Sequence, residues 1–154
     1  MAEPNFTPKP GQVDYSDIRY SPVVNCVVRL GDYVLLQQRS PEMRLYPSYW
    51  NGISGFLDTN GSVEEKALEE LSEEAGITKH QVQSLVRGQV LIQEAPEYHK
   101  TWIVFPVLAT LKSKIKPQLN WEATSLEWVK KDQLAAYNLL PGFAEVLQTF
   151  SLHL

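Results

Sequence analysis

A chain of 154 residues with 44% hydrophobic and 21% charged content is long enough to bury one core without disulfides or a structural metal. Its net charge of -4 argues against a general nucleic-acid binder, which carries a basic excess. No apolar run approaches the ~20 residues that span a bilayer, so neither a nucleic acid nor a membrane is expected as a partner.

Residues 1–20 carry three prolines and little periodicity, without the basic start or apolar core of a signal peptide. They read as an N-terminal arm or loosely packed lead-in to a single domain over residues 21–154, and a cytoplasmic location is expected. Two β-prone runs follow, residues 23–28 (VVNCVV) and 33–38 (YVLLQQ), joined by a turn at Gly31-Asp32 that signals a hairpin. The lone cysteine, Cys26, lies inside the first run and reads as a small buried hydrophobe. With a single cysteine the chain holds no internal disulfide, which fits a reducing compartment.

Residues 39–50 (RSPEMRLYPSYW) form a loop whose dense aromatics require something to pack on. A short extended piece then enters a helix. Further on, residues 82–93 read as a strand with a bulge at Gly88. Residues 101–111 read as a strand that Pro106 confines to an edge or a bulge. A short strand follows at 126–129, with Asp132 as the cap of a helical turn. Residues 141–152 have the apolar spacing of an amphipathic helix. Strands mixed with two main helices indicate an α+β fold or an αβα sandwich.

The helix is the informative segment. Ser62 is a good N-cap with Glu65 three positions on, and Gly76 stands where a left-handed C-terminal cap belongs, which predicts a helix over Val63–Ala75. Val63, Ala67, Leu71 and Ala75 form one apolar stripe, widened by Leu68. Six glutamates share this helix, and Glu70 and Glu74 fall together at one margin of the stripe. Glu65/Glu69, Glu69/Glu73 and Glu70/Glu74 are like-charge pairs at contact spacing, each unfavourable by roughly a few tenths of a kcal/mol. Glu73 and Glu74 also sit at the negative end of the helix dipole, and only Lys66 offsets them. Two explanations fit: a solvated acidic face, or a site for a hard divalent cation with oxygen ligands.

The stretch from Gly55 to Ile77 resembles the Nudix box: a glycine, five residues, a glutamate, seven residues, then Arg-Glu-apolar-x-Glu-Glu-x-Gly-apolar. Gly55, Glu70, Leu71, Glu73, Glu74, Gly76 and Ile77 match at the correct spacing. Gly61 stands in place of the first glutamate and Glu69 in place of the arginine, which in the family orients the catalytic carboxylates. The resemblance extends over residues 23–152. It implies a Nudix-type αβα sandwich with a mixed β-sheet.

It also implies a metal-dependent pyrophosphohydrolase acting on a nucleoside diphosphate derivative, with Mg²⁺, or Mn²⁺ in its place, as cofactor. Glu70 and Glu74 would be the principal metal ligands, Glu73 a further ligand, and Gly55 a carbonyl donor. Glu122 occupies the position where some members carry the general base, with Glu94, Glu97 and His99 as weaker candidates. Arg39 and Arg44 match phosphate geometry. Trp50, Tyr46 and Trp102 suit either stacking on substrate or packing in the core. The partner implied is a small nucleotide or diphosphate substrate, with a homodimer as an assembly seen among family members. The altered box leaves a second reading, a catalytically weakened module that binds a nucleotide or a protein. The run from Trp50 to Gly55 also resembles the isopentenyl-diphosphate isomerase branch. That branch needs a catalytic cysteine and metal-binding histidines; Cys26 lies far too early for it and histidines are sparse.

Overall fold

The computed structural model describes residues 7–152. Its spine is a parallel pair of long strands, β1 (Tyr20–Leu30) and β7 (Lys100–Leu111), in register from Tyr20↔Thr101 to Arg29↔Thr110. The hairpin expected at Gly31-Asp32 is present: β2 (Tyr33–Arg39) returns antiparallel to β1, with Leu30 opposite Tyr33. β3 (Trp50–Asn51) and β8 (Ala123–Lys130) pair with β2, and β4 (Ile53–Phe56) takes over the same edge of β1 where β2 departs. On the far side of β7 lie β5 (Val82–Arg87) and β6 (Leu91–Ala95). The result is one mixed, open sheet of eight strands.

Side chains alternate across this sheet with period two, and each face carries its own core. Val24, Cys26 and Val28 of β1 pack with Leu71 and Ala75 of helix α1 (Val63–Ala75). Val23 and Val27 pack with Phe143, Val146 and Leu147 of helix α2 (Phe143–Thr149) on the other face. The sheet lies between the two helices, as an αβα sandwich. Burial pushes the Cys26 thiol pKa up to about 12, consistent with an inert core residue. Among the described residues no helix is long and apolar enough to cross a membrane.

Three local expectations are corrected. β7, which contains Pro106, is central rather than an edge. Its proline is tolerated because β5 and β6 share one side of β7, and the seam between them falls opposite Pro106. Gly88 lies in that seam as a break rather than a bulge. Its N–H donates to the Pro106 carbonyl at 2.8 Å, and a Cβ there would meet Thr149 Cγ2 at 2.3 Å. Asp132 lies within the 3₁₀ turn Lys131–Ala136 instead of capping it; the cap is Lys130, with no side-chain bond.

The described part of the lead-in is not loosely packed. The Val13 N–H donates to the Asp58 carbonyl at 2.7 Å, and the Tyr15 ring stacks on Phe56 at 5.6 Å. Lys100 Nζ donates to the carbonyls of Tyr15 and Ile18 and to Ser21 Oγ.

Candidate active site

Helix α1 forms over the residues its caps predict. Ser62 Oγ accepts the Glu65 N–H at 3.0 Å, and Gly76 closes the helix at φ 67°, a left-handed conformation that favours glycine. The helix C-terminus has no basic residue, but the loop ahead of β8 supplies donors in its place. Gln118 N–H reaches the Ala75 carbonyl at 2.9 Å, and Asn120 Nδ2 reaches that of Glu73 at 3.2 Å. This contact also carries Glu122 to the helix.

The apolar stripe buries against the sheet and takes its acidic margin down with it. Glu70 is 7% exposed and Glu74 only 2%. Burial raises the pKa of both carboxyls above the ordinary range, Glu74 the further, because Glu70 and Glu122 add repulsion. A hydrogen bond between the two carboxyls assists Glu70 to ionise and opposes ionisation of Glu74. Glu74 Oε2 is buried with no hydrogen-bond partner. Glu73 is also shifted up, by partial burial and then by Glu70 and Glu69. Gly55 faces Glu70 so closely that a Cβ would lie 2.5–2.9 Å from its carboxyl atoms, so the close approach requires glycine.

Glu69, Glu70, Glu73 and Glu122 line one cleft of about 280 Å³ with Gly55, Asp58 and Lys66. The other wall is the N-terminal segment, through Thr7, Lys9, Gln12, Val13 and Tyr15. The fold thus brings together Gly55, Glu70, Glu73 and Glu122, with Glu74 behind them. Hard oxygen donors at this density, an orphaned anionic oxygen and a glycine cradle suit a divalent cation. Among the described residues, no three His, Cys, Asp or Glu side chains already surround a common point as ligands. The Lys66 ammonium lies among these carboxylates, 3.2 Å from Glu70 Oε1 and 2.9 Å from Asp58 Oδ1.

The expected substrate contacts lie elsewhere. Arg39 is 3% exposed, and its Nε donates to the Leu45 carbonyl at 2.9 Å, so it organises its own loop. Arg44 is exposed and Trp50 meets Tyr137 edge-on at 5.0 Å; neither lines the glutamate cleft. Tyr46 and Trp102 are core residues, joined by a Trp102 Nε1 to Tyr46 Oη bond of 3.0 Å. Glu94 accepts from Thr101 Oγ1, and His99 caps the turn Pro96–Tyr98; neither they nor Glu97 line the cleft. Asp58 and the lead-in residues are the parts of the site that sequence reasoning missed. The legible signal was Lys66, the only cation on α1 and four residues ahead of Glu70.

The model of the NUDIX domain matches residues 19–150. The chain belongs to the NUDIX domain family. Within that family it is 31% identical over 96 residues to "Putative 8-oxo-dGTP diphosphatase 3" of Mycobacterium tuberculosis (strain CDC 1551 / Oshkosh), covering 62% of this chain and 43% of the relative. The chain therefore spans less than half the length of that protein. Its fold is similar to that of a C. elegans Ap4A hydrolase binary complex, with TM-score 0.69 and 24% identity over 85% of this chain and 95% of the other. The NUDIX domain of Shewanella oneidensis NrtR, complexed with ADP ribose, superposes with TM-score 0.72 at 17% identity, over 95% and 92% of the two chains. In the NUDIX frame, α1 and Gly55 of strand β4, which face each other, belong to the two ends of the box.

Proposed function

We propose that this NUDIX chain is a divalent-metal-dependent hydrolase that splits a diphosphate linkage in a nucleoside diphosphate derivative. The observation that carries the reading is the buried Glu70–Glu74 pair with its unpartnered Glu74 oxygen, at the base of a cleft that Glu73 and Glu122 also enter. Two buried carboxyls sharing a hydrogen bond, with no balancing charge for the second, form a poor structural element but a good receptor for Mg²⁺ or Mn²⁺. Relatives named as an 8-oxo-dGTP diphosphatase and an Ap4A hydrolase support a nucleotide phosphoanhydride as the substrate class.

Glu70 and Glu74 would hold the ion, with Glu73 and the Gly55 carbonyl as further donors. When bound, the ion neutralises phosphate oxygens and eases deprotonation of water. Glu122, half-buried on the cleft wall, takes the proton of the attacking water. The water oxygen bonds to one phosphorus, the bond from that phosphorus to the bridging oxygen breaks, and the second phosphate leaves with the bridging oxygen. Lys9, on the opposite wall, provides positive charge toward the phosphates.

The test is release of phosphate-containing products from a panel of nucleotide sugars, dinucleoside polyphosphates and nucleoside triphosphates with Mg²⁺ or Mn²⁺. Glu74→Gln should lower turnover by more than about 100-fold, beyond the range typical of outer-shell partners of a metal. Unaltered turnover in that variant removes Glu74 from the ligand set. Gly61 and Glu69 favour a second reading, a NUDIX-fold binding module with weakened catalysis. A panel that stays inert while one nucleotide raises the melting temperature selects it.

A further inference from the structure

Lys66 is turned inward. Its side chain is 8% exposed, and its Nζ lies 2.9 Å from Asp58 Oδ1, 3.2 Å from Glu70 Oε1 and 3.7 Å from Glu69 Oε1. Burial opposes its charge, but Glu70 and Asp58 outweigh it and hold the ammonium pKa above the ordinary lysine value. Asp58 is itself fixed, because its Oδ2 accepts from Gln12 Nε2 at 2.8 Å and its carbonyl accepts from the Val13 N–H at 2.7 Å. A continuous polar path therefore runs from the lead-in through Asp58 and Lys66 to Glu70.

Glu70 is confined on three sides: by Gly55, by Glu74, and by Lys66. Only the last of these brings a positive charge, and it does so at Oε1. A buried ion pair is weak evidence for stability, since desolvation offsets its attraction, and a hydrophobic residue at position 66 would extend the apolar stripe instead. The geometry gives the charge another use.

We infer that Lys66, anchored by Asp58, is a positioning residue that holds Glu70 by Oε1 and so orients its carboxylate toward a metal ion. The inference rests on the metal-ligand reading of Glu70 given above. It explains how Glu69 can occupy the box position that otherwise carries arginine. Glu69 Oε1 lies 3.7 Å from Lys66 Nζ, so positions 66 and 69, one helical turn apart, reach the same point. The positive charge enters the site from one turn earlier, and Asp58 completes its shell.

The test uses the full chain, with Mn²⁺ as the probe ion and the most responsive substrate of the panel. At saturating Mn²⁺, Lys66→Met should lower kcat at least about 10-fold with KM changed less than about twofold, since the lost interaction orients rather than binds. Lys66→Arg should retain most of the wild-type turnover. Lys66→Met/Glu69→Arg should regain at least about fivefold over Lys66→Met, because a guanidinium at 69 reaches the same carboxylate. Wild-type turnover in Lys66→Met, or no rescue by either cationic variant, overturns the inference.

A second readout needs no turnover. Mn²⁺ affinity, measured by electron paramagnetic resonance of the free ion, should tighten at least about threefold in Lys66→Met, because the ammonium no longer shares Glu70. In a Glu70→Gln background the same substitution should have less than about half that effect, the coupling expected of residues in contact. Equal changes in both backgrounds overturn the inference. An inert wild-type enzyme would overturn the hydrolase reading alone, and the Mn²⁺ cycle would still decide this one. If Lys66→Met does not fold, Asp58→Ala, which removes the acceptor that anchors Lys66, should show the same loss of turnover with Mn²⁺ still bound. Wild-type kcat in that variant counts against the anchor.

Discussion

Two polar clusters are buried on opposite faces of the β1–β7 spine, and they follow different rules. On the α2 face the groups are neutral. Asn25 Nδ2 donates to Asn51 Oδ1 at 3.0 Å, and Asn51 Nδ2 donates to Ser54 Oγ at 3.3 Å, beside a cavity of about 40 Å³. On the α1 face the groups are Asp58, Glu70 and Glu74 against the single ammonium of Lys66. An amide both donates and accepts, so this chain links itself with no charge to balance, although Asn25 Oδ1 is buried without a hydrogen-bond partner. Three carboxyls cannot, since an ionised carboxyl only accepts, and one lysine balances only one of them. The neutral cluster needs no counter-charge. The charged one is complete only with a further cation or a proton.

This contrast predicts stability effects of opposite sign. The larger belongs to the neutral cluster. Asn51→Ala removes the acceptor of Asn25 and the donor to Ser54 while leaving both partners buried, which should cost about 1–3 kcal/mol. Urea denaturation should show this loss equally at acid and neutral pH, and with or without Mn²⁺. A loss that disappears on adding Mn²⁺ would mean that the two clusters are not independent.

The charged cluster should respond in the other direction. The folded-state pKa of Glu74 is raised, so folding holds a proton there that the unfolded chain releases. Its contribution is fully present below the unfolded carboxyl value and is lost as pH rises through the folded value. In EDTA, wild-type stability should therefore fall from acid toward neutral pH. Glu74→Gln, which cannot ionise, should be more stable than wild type near pH 7.5 by on the order of 1 kcal/mol, with the gap closing in acid. Mn²⁺ should then raise the wild-type melting temperature and leave the variant unmoved. If the variant melts lower than wild type in EDTA at neutral pH, the carboxyl is structural, and the contrast between the clusters fails.

Most of this contrast was legible along α1 and little of it beyond. Both ends of the helix come from local chemistry, Ser62 and Gly76, and its apolar stripe from a 3.6-residue period, so the depth of Glu70 and Glu74 follows from the stripe they border. Glu122 entered through family resemblance, because its approach depends on the 118–120 loop closing on the helix end. Asp58 was invisible for the same kind of reason: its contact with Gln12 spans 46 positions in the chain. Arg39 shows the limit from the other side. Its guanidinium suits a phosphate, and the structure buries it away from the glutamate cleft, with Nε donating to the Leu45 carbonyl of its own loop. Pro106 was misread because its cost depends on which neighbouring strand is interrupted opposite it, a property of the sheet and not of its own strand.

The smallest effect is expected on the outward side of α1, where charge is balanced but solvated. Arg87 on β5 grips Glu64 with two well-formed bonds, Nε to Oε1 and Nη2 to Oε2, both 2.7 Å. Its geometry is better than that of Lys66 with Glu70, and by distance alone it would be ranked the stronger interaction. The side chains, however, are 53% and 38% exposed, so water screens the attraction and competes for both partners. Arg87→Ala should shift neither the denaturation midpoint nor Mn²⁺ affinity measurably, and turnover should match wild type. An effect on Mn²⁺ affinity would show that the outward face of α1 communicates with Glu70. Burial would then not be the property that separates the glutamates engaged at the site from those that only face water.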